Sequence, residues 1–188
     1  MTLREALDQV PDPRDTRRVQ HPLGAILALA VCGMLCGSRS LYAISQWGRD
    51  HGEWVARALG FTRDQTPSVA TLHRVFTRMD REAFEEVLGE WMCEHGLKKG
   101  EALAMDGKTL RGIHGEEVPG VHLVSAFAHD TGIVPGQQAV ADKENELGAF
   151  RKLLEQIPMT GHVVTGDAQF AQREDSETIV SKGGTTFS

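Results

Sequence analysis

Ala102-Leu103-Ala104-Met105-Asp106, followed by Gly107-Lys108-Thr109-Leu110-Arg111, and His162-Val163-Val164-Thr165-Gly166-Asp167, followed by Ala168-Gln169, are the stretches that decide the fold. Each is a short apolar run that ends on an aspartate between turn residues, the pattern of a buried strand. An aspartate at the end of such a strand projects from the sheet rim, within reach of a ligand. Two such carboxylates on neighbouring strands would repel each other in a dry site. A divalent cation removes that repulsion, and Mg²⁺ or Mn²⁺ takes hard oxygen ligands while keeping several waters. Two such ions about 4 Å apart serve phosphoryl transfer. Asp106 and Asp167 are therefore candidate catalytic and metal-binding residues, 61 positions apart. Each also has a plain local reading: Asp106-Gly107 as a hairpin turn, and Gly166-Asp167-Ala168 as a helix cap.

Outward from these runs, residues 101–106 read as a strand and Val121 to Ala128 as a second. His129-Asp130-Thr131-Gly132 reads as a tight turn, and Ile133 to Val140 as the third strand of a hairpin. Glu146 to Gln156 has helical spacing through Leu147, Phe150, Leu153 and Leu154, with Pro158 behind it. Residues 162–166 form a fourth strand and about 170–181 a helix. The order is β, β-hairpin, α, β, α.

Upstream the texture is helical. Residues 2–9 predict a short helix, and Pro22 opens an apolar helix over 23–36 that belongs at the centre of a helical core. A third helix, 41–59, presents Leu41, Ile44, Trp47, Trp54, Val55 and Leu59, with a break expected near Gly48 and Gly52. Thr66-Pro67-Ser68 starts a helix over 67–79, and Asp80 caps another over 81–95. The fold class is α+β: a helical domain over 1–96, a linker at Gly96–Gly100, and an α/β domain over 101–188.

The bulk composition bounds what such a chain does. It has 188 residues and a formal net charge of −6, which argues against a protein that is basic throughout. Residues 1–78 carry ten Lys/Arg against seven Asp/Glu, and residues 101–188 carry seven against thirteen. A mildly basic front and an acidic back suit a nucleic-acid-touching module joined to a carboxylate-rich one. Cys32, Cys36 and Cys93 form neither a disulfide framework nor a zinc motif, and Cys32 and Cys36 read as buried thiols. A cytoplasmic, reduced protein is expected. The run Leu23–Gly37 is too short to span a bilayer comfortably, and the acids before it disfavour a secretory signal, so no membrane is expected.

Several stretches together carry a family resemblance. In the front half they are Asp12-Pro13-Arg14, His21-Pro22-Leu23, and Pro67-Ser68 with Thr71-Leu72-His73-Arg74. In the back half they are Met105-Asp106-Gly107-Lys108 with Arg111-Gly112, Lys143 with Asn145-Glu146, and Gly166-Asp167-Ala168. The whole chain resembles the insertion-sequence DDE transposases of the ISAs type, the family of the H-repeat-associated proteins. The front resembles their associated helical domain, and the back the start of their RNase H-like catalytic domain. The resemblance implies metal-dependent cleavage and transfer of DNA strands, with Asp106 and Asp167 as the first two metal-binding aspartates. Lys108 and Arg111 then hold DNA phosphates, and Lys143 and Glu146 belong to a recurrent family patch. It also implies a third carboxylate, a glutamate on a later helix, for which Glu174, Asp175 and Glu177 come too soon after Asp167. A C-terminally truncated, catalytically impaired transposase with an incomplete RNase H-like domain is the expectation.

The 67–79 helix, behind a turn and another helix, suits a helix-turn-helix. Arg74 and Arg78 share a face four residues apart, with His73 beside them, and this face suits the phosphates of double-stranded DNA at element ends and targets. Arg14, Arg17 and Arg18 offer a second phosphate contact, and a homo-oligomer is a further expected partner. Three other readings stay open. One is an RNase H-like nuclease such as a resolvase. Another is a non-catalytic DNA-binding regulator of the full-length transposase. The last is a remnant whose sheet edge lies open after the fourth strand.

Overall fold

A computed structural model describes residues 1–15, 17, 19–110, 121–140 and 145–187. The chain forms eight α-helices and a five-stranded mixed sheet among these residues, and divides into two compact units, Met1–Leu88 and Gly89–Ser188. Arg111 and Lys143, both expected near the site, lie outside the described residues, as does Arg18.

The first unit is helical. Helix α1 (Leu3–Leu7) starts with a reciprocal cap: Glu5 N–H donates to Thr2 Oγ1 at 3.2 Å, and Thr2 N–H to Glu5 Oε2 at 2.8 Å. Helix α2 (Leu23–Leu35) supplies the middle of the core through Ile26 and Leu29, both fully buried. Its far end emerges, with Leu35 83% exposed and Cys36 exposed beyond it, so Cys36 is not the buried thiol expected from its apolar neighbours. Helices α3 (Leu41–Asp50) and α4 (Gly52–Ala58) are separated at Gly52, whose φ of +68° is open to glycine at little cost. The break resets the helical phase. Trp54 consequently leaves the inward stripe of α3 and stands 67% exposed, against the expectation.

Helix α5 (Val69–Arg78) is capped by Ser68 and buries Leu72 and Val75. The buried Ser45 hydroxyl of α3 donates to Pro67 O at 3.1 Å and ties the start of α5 to the core. The connection from α4 to α5 runs over residues 59–68, longer than the three or four residues of a helix-turn-helix, so that expected motif is not formed. Helix α6 (Arg81–His95) follows, with Phe84 and Val87 half-buried against the same core.

The second unit is built on strands β1 (Ala102–Leu110), β2 (Val121–Ala128), β3 (Gly136–Ala139), β4 (Val163–Gly166) and β5 (Thr185–Phe187), in the spatial order β3-β2-β1-β4-β5. β1 and β2, and β2 and β3, are antiparallel; β4 runs parallel to β1, and β5 parallel to β4. Helices α7 (Glu146–Gln156) and α8 (Arg173–Ser181) complete it. Phe150, Leu153 and Leu154 of α7 pack with Leu103, Met105, Val124, Val164 and Ile179 in one buried cluster.

Two differences from the sequence reading matter. β1 does not end at Asp106. It continues to Leu110, because Gly107–Leu110 pair with Val121–Val124, and Thr109 Oγ1 lies 3.0 Å from His122 Nδ1 across the pair. Asp106-Gly107 is therefore inside a strand and is not a turn. In addition, the sheet does not stop at β4. Gly183 takes φ +80° after α8, Thr185 N–H donates to His162 O at 2.9 Å, and the β-branched residues that follow pair with β4. The edge expected to lie open after the fourth strand is covered by β5.

One buried carboxylate organises the lower end of the sheet. Glu101 is 3% exposed and accepts from Lys98 N (2.7 Å), Asp130 N (3.2 Å), Thr131 N (3.1 Å) and the Thr131 hydroxyl. Its carbonyl lies 3.0 Å from Nδ1 of the buried His162. Burial by itself raises the Glu101 pKa, but these hydrogen bonds outweigh it and hold the group below its ordinary value of 4.5.

Two outcomes follow for stability. The Glu101 carboxylate is charged at neutral pH in native and unfolded chains alike, and its extra native stabilisation is lost as pH falls through the lowered native pKa. Glu101→Gln should lower the thermal midpoint at pH 7, and should flatten the acid limb of the stability curve below about pH 4.5, read by thermal melts across pH. Leu153 is fully buried, and Leu153→Ala should cost about 2–5 kcal/mol in denaturant unfolding.

Candidate metal centre and nucleic-acid interface

The pairing of β1 with β4 sets the geometry of the two aspartates. Ala102 pairs with Val163, and each step keeps that offset up to Met105 with Gly166. Asp106 and Asp167 are the next step. Asp167 lies one residue past the end of β4, still in extended backbone (φ −61°, ψ 159°). Adjacent strands run about 4.8 Å apart, so the two backbones are neighbours at this level. Side chains alternate between faces along a strand. Leu103, Met105 and Val164 take the buried face, and Asp106 and Asp167 take the other, where both are exposed. The rim needed for access comes from the end of β4, since β1 runs on past Asp106.

Asp167 also caps the short 3₁₀ helix Ala168–Phe170, accepting from Gln169 N at 3.3 Å. The expected capping chemistry is thus present together with the paired placement. Lys108, exposed and two residues beyond Asp106, stands on the same face of β1. Glu146, the first residue of α7, lies over Gly107: a Cβ at Gly107 would come within 3.1 Å of its carboxylate. Glu146 also accepts a hydrogen bond from the Gln169 side chain. The alternation puts it on the opposite face from Asp106, so it bridges the ends of the strands without joining the aspartate pair. Gln169 emerges as a neighbour of the site; its signal in the sequence was only its place directly after Asp167-Ala168.

The donor set fits a hard divalent cation: two exposed carboxylates of neighbouring strands, with open space for water around them. No group of three His, Cys, Asp or Glu able to hold a metal occurs among the described residues. The acids of α8 are otherwise engaged. Arg151 pairs with Asp175 at 2.7 Å and Glu174 at 2.9 Å, and Arg173 with Glu177 at 2.9 Å. The Asp175 carboxylate, buried beside it, raises the Arg151 pKa.

In the helical unit, the basic residues converge on an open cleft of about 440 Å³. Arg74 and Arg78 of α5 line it together with Arg14, Asp15, Gln20, His21 and Thr71. Neither Arg74 nor Arg78 has a carboxylate within ion-pair distance among the described residues. His73 is exposed on α5 but is not part of the cleft lining, and Arg17 pairs with Asp15 at 3.4 Å in solvent. Burial, reinforced by the charges of Arg63 and Arg14, holds His21 below its ordinary pKa of 6.5.

Comparison with known proteins agrees on one family. Residues 97–187 match the Transposase DDE domain family, and residues 4–92 match the DDE_Tnp_1-associated family. The chain is 35% identical to "Putative transposase YncI" of Escherichia coli strain K12, over 97% of this chain and 75% of that one. It is 34% identical to the protein of the same name from Escherichia coli O157:H7, over 97% of this chain and 48% of that one. It is 30% identical to "H repeat-associated putative transposase YhhI" of strain K12, over 97% of this chain and 49% of that one. The chain thus spans three quarters of the first relative and about half of the other two. With both halves matched and the relatives aligned along nearly its whole length, this chain belongs to the DDE transposase family that includes the H repeat-associated proteins.

Proposed function

We propose that the chain is an insertion-sequence transposase whose residues 101–188 form the first part of an RNase H-like catalytic domain and whose residues 1–96 hold DNA. The observation that carries this reading is the in-register placement of Asp106 and Asp167 on the exposed face, at the level where β4 ends. The sheet order β3-β2-β1-β4-β5, with an antiparallel meander on one side of β1 and parallel strands on the other, supports the RNase H-like assignment.

Asp106 and Asp167 are the residues to hold Mg²⁺ or Mn²⁺. A divalent cation bound there supplies Lewis acidity toward a DNA phosphodiester. Lys108, on the same face, would hold a neighbouring phosphate, and the family assignment gives Arg111 and Lys143 the same role. The reaction is hydrolysis of a phosphodiester at an element end, followed by attack of the freed 3′-hydroxyl on target DNA. Among the described residues the acids of α8 are committed to arginines, which leaves Asp106 and Asp167 as the carboxylates offered to the cation. The chain's site of action is the cytoplasm, and no helix among the described residues is long and apolar enough to cross a membrane.

A second reading, a DNA-binding regulator of full-length transposase, is favoured by the cationic cleft, whose α5 arginines lack carboxylate partners among the described residues.

The test compares the wild-type chain with Asp106→Asn and Asp167→Asn. Mn²⁺ binding, followed by titration calorimetry, should be at least tenfold weaker in either variant than in the wild type. DNA binding, by contrast, should survive both substitutions. Chelation should abolish any nicking of element-end DNA. Unchanged Mn²⁺ binding in both variants would remove the site assignment.

A further inference from the structure

The cleft of the helical unit joins two parts of the sequence more than fifty residues apart, and its side chains are arranged for one kind of ligand. Arg14 comes from the connector before α2, and Arg74 and Arg78 from α5. Arg14 is held firmly: its Nε and Nη2 donate to the Asp12 carboxylate at 2.8 and 2.7 Å, and Nη2 also to His21 O at 2.8 Å. Its side chain is only 16% exposed. Of the five guanidinium donors, the two on Nη1 have no acceptor among the described residues. Arg74 is steadied on its own helix, Nε donating to Ala70 O at 3.2 Å and Nη2 to Thr71 Oγ1 at 3.4 Å. Arg78 lies one turn on, about 6 Å along the helix axis.

Three guanidinium groups thus line one concavity with one lining carboxylate, Asp15, which itself pairs with Arg17 in solvent, while Asp12 holds Arg14 from behind the lining. This is a local concentration of positive charge in a chain whose net charge is −6. Guanidinium forks match phosphate oxygens in geometry as well as charge. The lining offers little to a base: its aromatic member, His21, already sets its ring against Phe61 at a centroid distance of 5.4 Å.

We propose that this cleft is a phosphate-binding site that seats the backbone of duplex DNA, with Arg14, Arg74 and Arg78 acting on one phosphodiester segment. The proposal rests on the reading of the helical unit as DNA-holding, and adds that the connector and α5 act as one site. It makes Arg14 a ligand residue in addition to its role in holding the connector, and makes Asp15 a brake on affinity.

The experiment measures binding of a fluorescent element-end duplex to the full chain by anisotropy across a salt series. Arg14→Gln and Arg74→Gln should each weaken binding about tenfold and reduce the salt slope by about one. The double variant should lose clearly less than the product of the two, because both groups serve the same segment. Asp15→Asn should tighten binding on the order of threefold, a gain that misfolding cannot produce. Thermal melts check that each variant is folded. Pyrophosphate should compete for the wild type and lose its effect in the double variant.

Full additivity, or DNA binding indifferent to Arg14→Gln and Asp15→Asn while Arg74→Gln still matters, would overturn the shared site and leave the α5 interface standing. Pyrophosphate binding that depends on Arg14 and Arg74 while duplex binding does not would make the cleft a small-anion site and overturn the DNA assignment. A folded chain that binds no duplex at all would remove the DNA-holding reading and the cleft assignment with it.

Discussion

The candidate centre depends on a polar contact made far below it in the sheet. Glu101 and His162 are both buried, and they meet at the offset of 61 residues that relates every paired position of β1 and β4. A buried polar group without a partner is costly, so this contact fixes which residue of β4 sits beside which residue of β1. Five steps up the same ladder stand Asp106 and Asp167. A slip of one residue would turn every side chain of β4 to the other face, sending Val164 out of the core and Asp167 away from Asp106. The carboxylate of Glu101 adds the hairpin to the same anchor by gripping the Asp130-Thr131 turn, so that three strands share one starting line.

Above that line, apolar packing and local polar chemistry divide the work. The buried face is filled by α7 and the residues under it, and the exposed face carries Asp106, Asp167 and Lys108. Gly107 lets Glu146 settle close on the buried side without a Cβ in its way, and Gln169 ties that glutamate to the segment after Asp167. The surroundings of the aspartates are thus held by groups from α7 and the 3₁₀ helix, while the carboxylates themselves stay open to solvent. In the helical unit the same logic recurs in another material. Ser45 and Ser68 fix where α5 begins, and Leu72 and Val75 fix which side it buries. Arg74 and Arg78 are left on the side that meets the connector.

Much of this was legible in the sequence because it is written in short-range terms. The caps at Ser68 and Asp80, the apolar period of α7, and the alternation of the strands each depend on neighbours within a few positions. The mixed α/β character and the two aspartates followed from those signals and from the family resemblance. The features that escaped depend on distant partners. Asp106-Gly107 has the chemistry of a turn, but eight residue pairs with β2 hold it in a long strand. Thr185-Thr186-Phe187 is too short to show a period, and becomes a strand only because β4 is there to receive it. Trp54 follows a helix break that shifts its phase, and Glu101 looks like surface until the turn that buries it is known. The cleft escaped for the same reason, since nothing near Arg14 in sequence announces α5.

The same anchor governs the order in which the chain can fold. The helical unit closes mostly through neighbours: α1 against α2, α2 against α3, α3 against α5. Contacts of that kind form early, because little loop entropy must be spent to reach them. The central strand β1 is different. Its hairpin partner β2 is close at hand, but its parallel partner β4 arrives only after α7. During synthesis β1 must therefore wait with one side unpaired until residue 162 and its successors have emerged. The long-range closure that brings the aspartates together thus waits on the hairpin and α7, which precede β4 in the chain.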